Sequence, residues 1–431
     1  SNPNGIYNST YFKNLTNVDN YFSHFSTQIV HEGHPPLYFI FLKIWTILSG
    51  TTELGLRSFS LLCGVIFFKL IYSIIKTNIS NSYLRVLFFI LILSNPFLFY
   101  FFNEARMYGF ALLIAAQCFL IWIKIQKGIQ SNRDNYVFIF ASLCLLYTHY
   151  HSIFFLMTLA ILHFHNSGLK KIHLYIIPII LFLPWFFVIQ KQLILHKIHW
   201  TNGAAPFIES FIGYAGGCLS LLTFQNQSPQ FMAYDFVIIL IVGLLLFLFS
   251  RNLASIKTIL IALFFYFFQL YLFDKITNHH TILIARYYCF TLLFIYYFLF
   301  NFLFSIKNKL ITIILCSSIS LYSFFQIYKV YQLQSSPKQM LREVAYFIDT
   351  NYNPRDYILV CEPKGPLTFG ISYYLNKNYT LLIAGSNSNL SNKKLIYIDE
   401  MLGDPNTENK LDNTKQLKKQ LIPFVGIFLY Q

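Results

Sequence analysis

RVLFFILILSNPFLFYFFNEARMYGFALLIAAQCFLIWIKIQ, residues 85–126, decides the fold. Its two apolar runs, 85–102 and 107–126, each come close to the roughly 20 residues that cross a bilayer as a helix. Only Asn103-Glu104-Ala105-Arg106 separates them. Runs of this length satisfy the one requirement of hydrocarbon, that every backbone polar group be bonded within the segment while apolar side chains face outward. Ionisable groups at the edge of such a run are costly to place, so Glu104 and Arg106 are candidate functional residues.

The whole chain repeats this pattern. Hydrophobic residues make up 56% and charged residues 11%, whereas soluble domains carry about a quarter charged. The reading is an all-α polytopic membrane protein. Spans are predicted near 56–76, 85–102, 107–126, 136–150, 152–167, 173–190, 233–250, 255–273, 283–304 and 310–330, about ten crossings. The two around Tyr147-Thr148-His149-Tyr150-His151 are short, and one long tilted helix is the alternative there. Counted as two, they bring Lys76 and Arg85, Lys124, Lys127 and Arg133, Lys170 and Lys171, Arg251 and Lys257, and Lys307 and Lys309 to one side. The positive-inside rule makes that side cytoplasmic. Residues 1–55, the Glu104 and His149 turns, 191–232, 274–286 and the tail then face outward.

Three domains follow: an extracytoplasmic loop with interfacial helices over 1–55, a transmembrane catalytic domain over 56–330, and a small soluble α/β domain over 331–431. Eight of the 17 acidic residues precede residue 340, and the remainder crowd into the tail. There Met340–Tyr352 has the pattern of an amphipathic helix, and Tyr357–Cys361, Leu395–Ile398 and Val425–Tyr430 those of strands. The net charge of +15 comes from single Lys and Arg residues between apolar runs. Topology and lipid headgroups account for that placement, and no basic stripe suits nucleic acid. Seven cysteines show no C-x-x-C spacing and read as packing residues.

Candidate chemistry gathers on the outer side. Pro35-Pro36 forces an extended approach to the next helix, which would present Glu32 and His34 from a rigid turn, with Tyr38 following. An ordinary helix start is the alternative. Arg57 opens a span, where a snorkelling cation is common. Glu104 and Arg106 are too close in sequence for an i,i+4 pair, so each is expected to seek a separate partner, such as a phosphate or hydroxyl. Tyr108 begins the span after them. His149 and His151 suit packing, a phosphate or a divalent cation, and no metal-ligand set is assigned. Arg286 and Tyr287 stand at the mouth of a span as a headgroup clamp or an interfacial anchor. A cationic, aromatic cleft at the lipid boundary fits a lipid-linked phosphate, with a carboxylate to deprotonate an acceptor.

Glu32-Gly33-His34-Pro35-Pro36-Leu37-Tyr38 resembles the acid-x-His-Pro-Pro-Leu-Tyr motif of bacterial membrane glycosyltransferases of the GT-C fold, related to protein O-mannosyltransferases and the lipid A aminoarabinose transferase. Leu56-Arg57-Ser58, Asn103 to Tyr108, Tyr147 to Tyr150 and Ala285-Arg286-Tyr287 are similar to further landmarks in the same order. The likeness covers about residues 20–300, and the tail resembles the family's periplasmic domain. It implies an inverting sugar transfer in the inner membrane, from a polyprenyl-phosphate donor to an extracytoplasmic glycan, lipid or protein. On this likeness Glu32 and Glu104 are the catalytic candidates. His34, Tyr38, Arg57, Arg106, Tyr108, His149, His151, Arg286 and Tyr287 are the binding candidates. The family's principal acid precedes the Pro-Pro motif. Asp19 does not match it, so that acid and one more helix are expected upstream of Ser1, and this chain alone is expected to be inactive. A lipid-linked glycan polymerase or ligase, and a polyprenyl-phosphate transporter or flippase, are the competing functions.

Overall fold

The computed structural model describes residues 6–8, 34–195, 203–223, 253–306, 309–361, 375–383, 394–399, 416–422 and 425–430. The chain divides into two compact units, one of residues 28–330 and one of residues 1–27 with 331–431.

The larger unit is helical. Its elements are α1 (Leu37–Ser49), α2 (Glu53–Asn78), α3 (Ser82–Leu93), α4 (Pro96–Asn103), α5 (Met107–Gln126), α6 (Asn132–Leu146), α7 (Ser152–Ser167), α8 (His173–Phe182), α9 (Phe186–Leu195), α10 (Phe207–Thr223), α11 (Leu253–Thr277), α12 (Thr291–Ser305) and the first part of α13 (Lys309–Asn351). Local signals set these boundaries. Thr52 caps α2 by accepting the Gly55 N–H, and Asn81 caps α3 by accepting from Tyr83 and Leu84. Ser131 and Asp134 form a reciprocal capping box at the start of α6. Asn95, followed by Pro96, accepts the Leu98 N–H at 2.8 Å and starts α4 at 60° to α3. The Asn95 amide also donates to the Leu221 carbonyl at 3.0 Å, which fixes the bend against α10.

Among the described residues, five helical segments are long and apolar enough to cross a membrane: Glu53–Asn78, Met107–Gln126, His173–Gln192, Leu260–Thr277 and Lys309–Tyr328. The bent α3–α4 pair makes up to six. α6 and α7 have 15 and 16 residues and are separate helices, so a single long helix does not form there. The sequence span 233–250 lies outside the described residues.

Burial separates centre from periphery. In its most apolar stretch α5 is 78% buried, against 17% for His173–Gln192, which presents Ile180, Leu183 and Phe187 outward. Such exposed apolar surface suits lipid. Packing at the centre is close. Phe102, at the end of α4, lies where added Cβ atoms on Gly64 and Gly109 would come within 2.8 Å and 3.0 Å of its side chain. Glycines on α2 and α5 therefore make the slot that seats the chain two residues before Glu104. Six described cysteines are free thiols, four of them buried.

The second unit holds a six-stranded sheet of β1 (Ile6–Asn8), β2 (Tyr357–Cys361), β3 (Thr380–Ile383), β4 (Lys394–Asp399), β5 (Gln416–Ile422) and β6 (Val425–Tyr430), in the order β1-β3-β2-β4-β6-β5. β2 is parallel to β3 and β4, with Leu359 opposite Leu381 and Ile396. The other pairings are antiparallel. Residues 1–55, read above as one outer loop, are shared between both units: Ile6–Asn8 joins the sheet, and Leu37–Ser49 is a helix of the larger unit. The end of α13 belongs to this second unit, where Tyr379 donates to the Ile348 and Tyr352 carbonyls and Asp349 accepts the Asn376 N–H at 2.6 Å.

Candidate functional site

The site is built where α4, α6 and α11 end and α1, α5, α7 and α12 begin. Pro35 and Pro36 are buried, α1 starts directly after them, and the Leu37 N–H donates to the Tyr147 carbonyl at 3.0 Å. This bond docks the Pro-Pro turn on the turn between α6 and α7. His34 is thereby brought within electrostatic reach of both His149 and His151. Glu32 lies outside the described residues.

Tyr38 is buried against Phe59 and Phe110, beside Ser60. The Ser60 hydroxyl donates to the Glu104 carbonyl at 2.6 Å and so ties α2 to the loop between α4 and α5. In that loop the Arg106 N–H donates to the Glu104 carbonyl at 2.9 Å. The tight turn corrects the expectation of separate partners. Both side chains leave one short loop, and Arg106 Nε lies 3.6 Å from Glu104 Oε2. The pair is unequal, with the Glu104 side chain 3% exposed and that of Arg106 50%. Tyr100 is hydrogen bonded to the Glu104 carboxylate as well.

Tyr108, the second residue of α5, stacks on Phe101 at 5.0 Å between ring centroids and meets His149 at 5.4 Å. His149 is buried, 5.6 Å from His151 and 5.7 Å from Phe290. His151 lies flat on Tyr287, with centroids 4.9 Å apart and 8° between planes. Among the described residues neither His149 Nδ1 nor His151 Nε2 has a hydrogen-bond partner. Burial disfavours the imidazolium and pushes both pKa values down, well below the usual range for His149 and to about 4 for His151. Repulsion within the histidine group acts in the same direction.

Arg286 completes the cluster. Its guanidinium carbon lies 5.7 Å from the Tyr287 ring centroid, and the charge acts on Tyr100, Tyr108 and Tyr287. Arg106 acts on the same three tyrosines, so the two guanidinium groups flank one aromatic wall. The loop bearing Arg286 consists of the 3-10 turns Thr281–Leu283 and Ala285–Tyr288.

The structure thus joins His34, Tyr38, Glu104, Arg106, Tyr108, His149, His151, Arg286 and Tyr287, from four separate stretches of sequence. Arg57 stays apart. Glu53, one helical turn back, holds it at 2.5 Å, and among the described residues that is its ion pair. Among the described residues no group of three or more His, Cys, Asp or Glu could hold a metal ion. Sequence reading passed over Ser60, Tyr100 and Asp274. Asp274 had a usable signal, as a lone acid in the apolar run 253–273 and its extension.

Two cations, a buried carboxylate and neutral imidazoles on an aromatic wall can bind an anionic oxygen group and keep hydrogen-bond donors beside it. No protein-family model matches the chain, and no curated protein or solved structure matches it.

Proposed function

We propose that this cluster is the donor site of a GT-C-type membrane glycosyltransferase, which moves a sugar from a polyprenyl phosphate to an extracytoplasmic acceptor. The observation that carries the reading is the meeting of Glu104, Arg106 and Arg286 around one aromatic wall at the ends of apolar helices. The prenyl chain stays in lipid between helices, and the phosphate meets Arg286 and Arg106. The bond from sugar C1 to the phosphate oxygen breaks, with its electron pair leaving on the phosphate. An acceptor oxygen bonds C1 from the opposite face, which inverts the centre, and a carboxylate takes its proton. Glu32 and Glu104 are the carboxylates assigned to this work, and Arg stabilises the departing phosphate.

The charge distribution supports an extracytoplasmic site in the inner membrane. At the far end of α5, Lys124 pairs with Asp134, and Lys127 donates to the Thr77 carbonyl and Asn78 Oδ1 at 2.7 Å each. With Lys76, Arg133, Lys170 and Lys171 these form the cationic loops that the positive-inside rule assigns to the cytoplasm. The reading includes about ten crossings and an extracytoplasmic α/β domain over 331–431.

The 60° break between α3 and α4 favours a second reading, a transporter of the carrier lipid, since transporters use broken helices at their binding sites. The purified full-length protein, incubated with radiolabelled polyprenyl-phosphate sugars and membrane extract, separates the two. Label transferred to an acceptor supports the transferase. Donor binding with movement across vesicles and no transfer supports the transporter.

A further inference from the structure

Asp274 lies near the end of α11, 2% exposed, and forms no salt bridge among the described residues. A carboxylate buried in this way is costly unless its oxygens are satisfied. Both are. Oδ1 accepts the Thr281 hydroxyl at 2.5 Å, and Oδ2 accepts the Ile282 N–H at 2.8 Å. The Asp274 carbonyl accepts the His279 N–H at 3.0 Å. All three bonds close on the stretch of chain that leads to Arg286.

The same stretch is seated on α10. A Cβ added at Gly213 would overlap Leu283, and one at Gly217 would overlap the Tyr288 hydroxyl. These glycines, one helical turn apart, leave the space that Leu283 and Tyr288 fill. Between the two anchors the Ile284 N–H donates to the Thr281 carbonyl, and the Tyr287 N–H to the Ile284 carbonyl. Successive tight turns therefore carry the fixed position of Thr281 to Arg286 with little slack.

We infer that Asp274 is a positioning residue: through Thr281 and Ile282 it sets where Arg286 stands in the cluster. The inference rests on the proposed role of Arg286 as a phosphate ligand. Asn at this position would keep one acceptor and point N–H groups at a donor, so the change acts on the loop while conserving volume.

The test is a double-mutant cycle on the full-length protein in nanodiscs, with undecaprenyl phosphate binding as the readout and amide hydrogen exchange measured in parallel. Asp274→Asn should weaken binding about tenfold, and Thr281→Val should act in the same direction. In an Arg286→Ala background Asp274→Asn should add less than about twofold, because the group it positions is gone. Exchange should quicken over 281–288 and stay unchanged over 147–151. Equal weakening in both backgrounds, or intact binding in Asp274→Asn and Thr281→Val while Arg286→Ala loses it, overturns the inference and leaves the proposed function standing. Wild-type protein that does not bind, or Arg286→Ala that binds normally, defeats the proposed function instead. In that case unchanged exchange over 281–288 in Asp274→Asn overturns the anchoring itself. If Asp274→Asn does not fold, Thr281→Val carries the same comparison alone.

Discussion

His149 and His163 stand at the two ends of α7, both buried, and they differ in what their ring nitrogens do. At the C-terminal end His163 Nδ1 is 3.2 Å from the Gln126 amide nitrogen, and Nε2 is hydrogen bonded to the Lys170 carbonyl. Asn166 donates to Gln126 there, and Lys124 donates to Asp134. These bonds hold the loops at this end, although the hydroxyl of Tyr175, whose ring packs 5.5 Å from His163, has no hydrogen-bond partner among the described residues. At the N-terminal end His149 Nδ1 and His151 Nε2 are buried among aromatic rings with no hydrogen bond among the described residues. Buried polar groups are nearly always paired, and these two nitrogens are exceptions that lie within the site proposed above. The two histidine sites thus differ in pairing: both ring nitrogens of His163 are bonded, and one ring nitrogen each of His149 and His151 is not, among the described residues.

The contrast breaks most readily at Arg286. Arg286→Ala should weaken polyprenyl-phosphate binding by about 2–3 kcal/mol, the scale of charged hydrogen bonds, while thermal melting moves little. A binding assay with the melting curve beside it checks this. Gly217→Val should cost about 2 kcal/mol of stability or more, because the new side chain must displace the buried Tyr288 ring, and melting should fall together with binding. A matched pair then sharpens the point. His163→Phe strands the Gln126 amide and the Lys170 carbonyl and should cost about 1–2 kcal/mol. His149→Phe removes a nitrogen that already lacks a partner, so melting should be nearly unchanged and transfer activity should fall.

The smallest effect is on pH dependence. Depressed pKa values at His149 and His151 mean that the unfolded chain binds protons which the native state refuses. Their contribution is therefore full above the unfolded value of about 6.5. It declines as pH falls, until His151 protonates near 4. The slope is up to about 1.4 kcal/mol per pH unit for each group. Melting temperatures between pH 7 and pH 4.5 should show a shallower decline in the His149→Phe, His151→Phe double variant.

Long apolar runs made much of the helical unit legible. The predicted spans 56–76, 107–126 and 310–330 fall within Glu53–Asn78, Met107–Gln126 and the start of Lys309–Asn351. The predicted 85–102 run hid a bend, because the break Ser94-Asn95-Pro96 is short and apolar residues resume at once, although Pro96 cannot extend the preceding helix. Polar breaks in apolar sequence also named most of the cluster, since such breaks are expensive wherever they occur. What they could not name was the pairing. Glu104 meets Arg106 because a three-residue turn brings both side chains together, and Arg57 meets Glu53 because the helix starts early enough to include both. Asp274 shows as a lone acid in sequence, but its hydrogen-bond partners, a hydroxyl and a backbone N–H, carry no charge that would point to them.

The central claim is most directly tested by a structure of the full-length protein with undecaprenyl phosphate bound in nanodiscs, solved by electron cryomicroscopy. The account predicts phosphate density within hydrogen-bond distance of Arg286, beside Arg106 and the His149–His151 pair, with the prenyl chain running out between the helices. Phosphate seated instead among Lys124, Lys127 and Arg133 at the opposite end of α5 would contradict it.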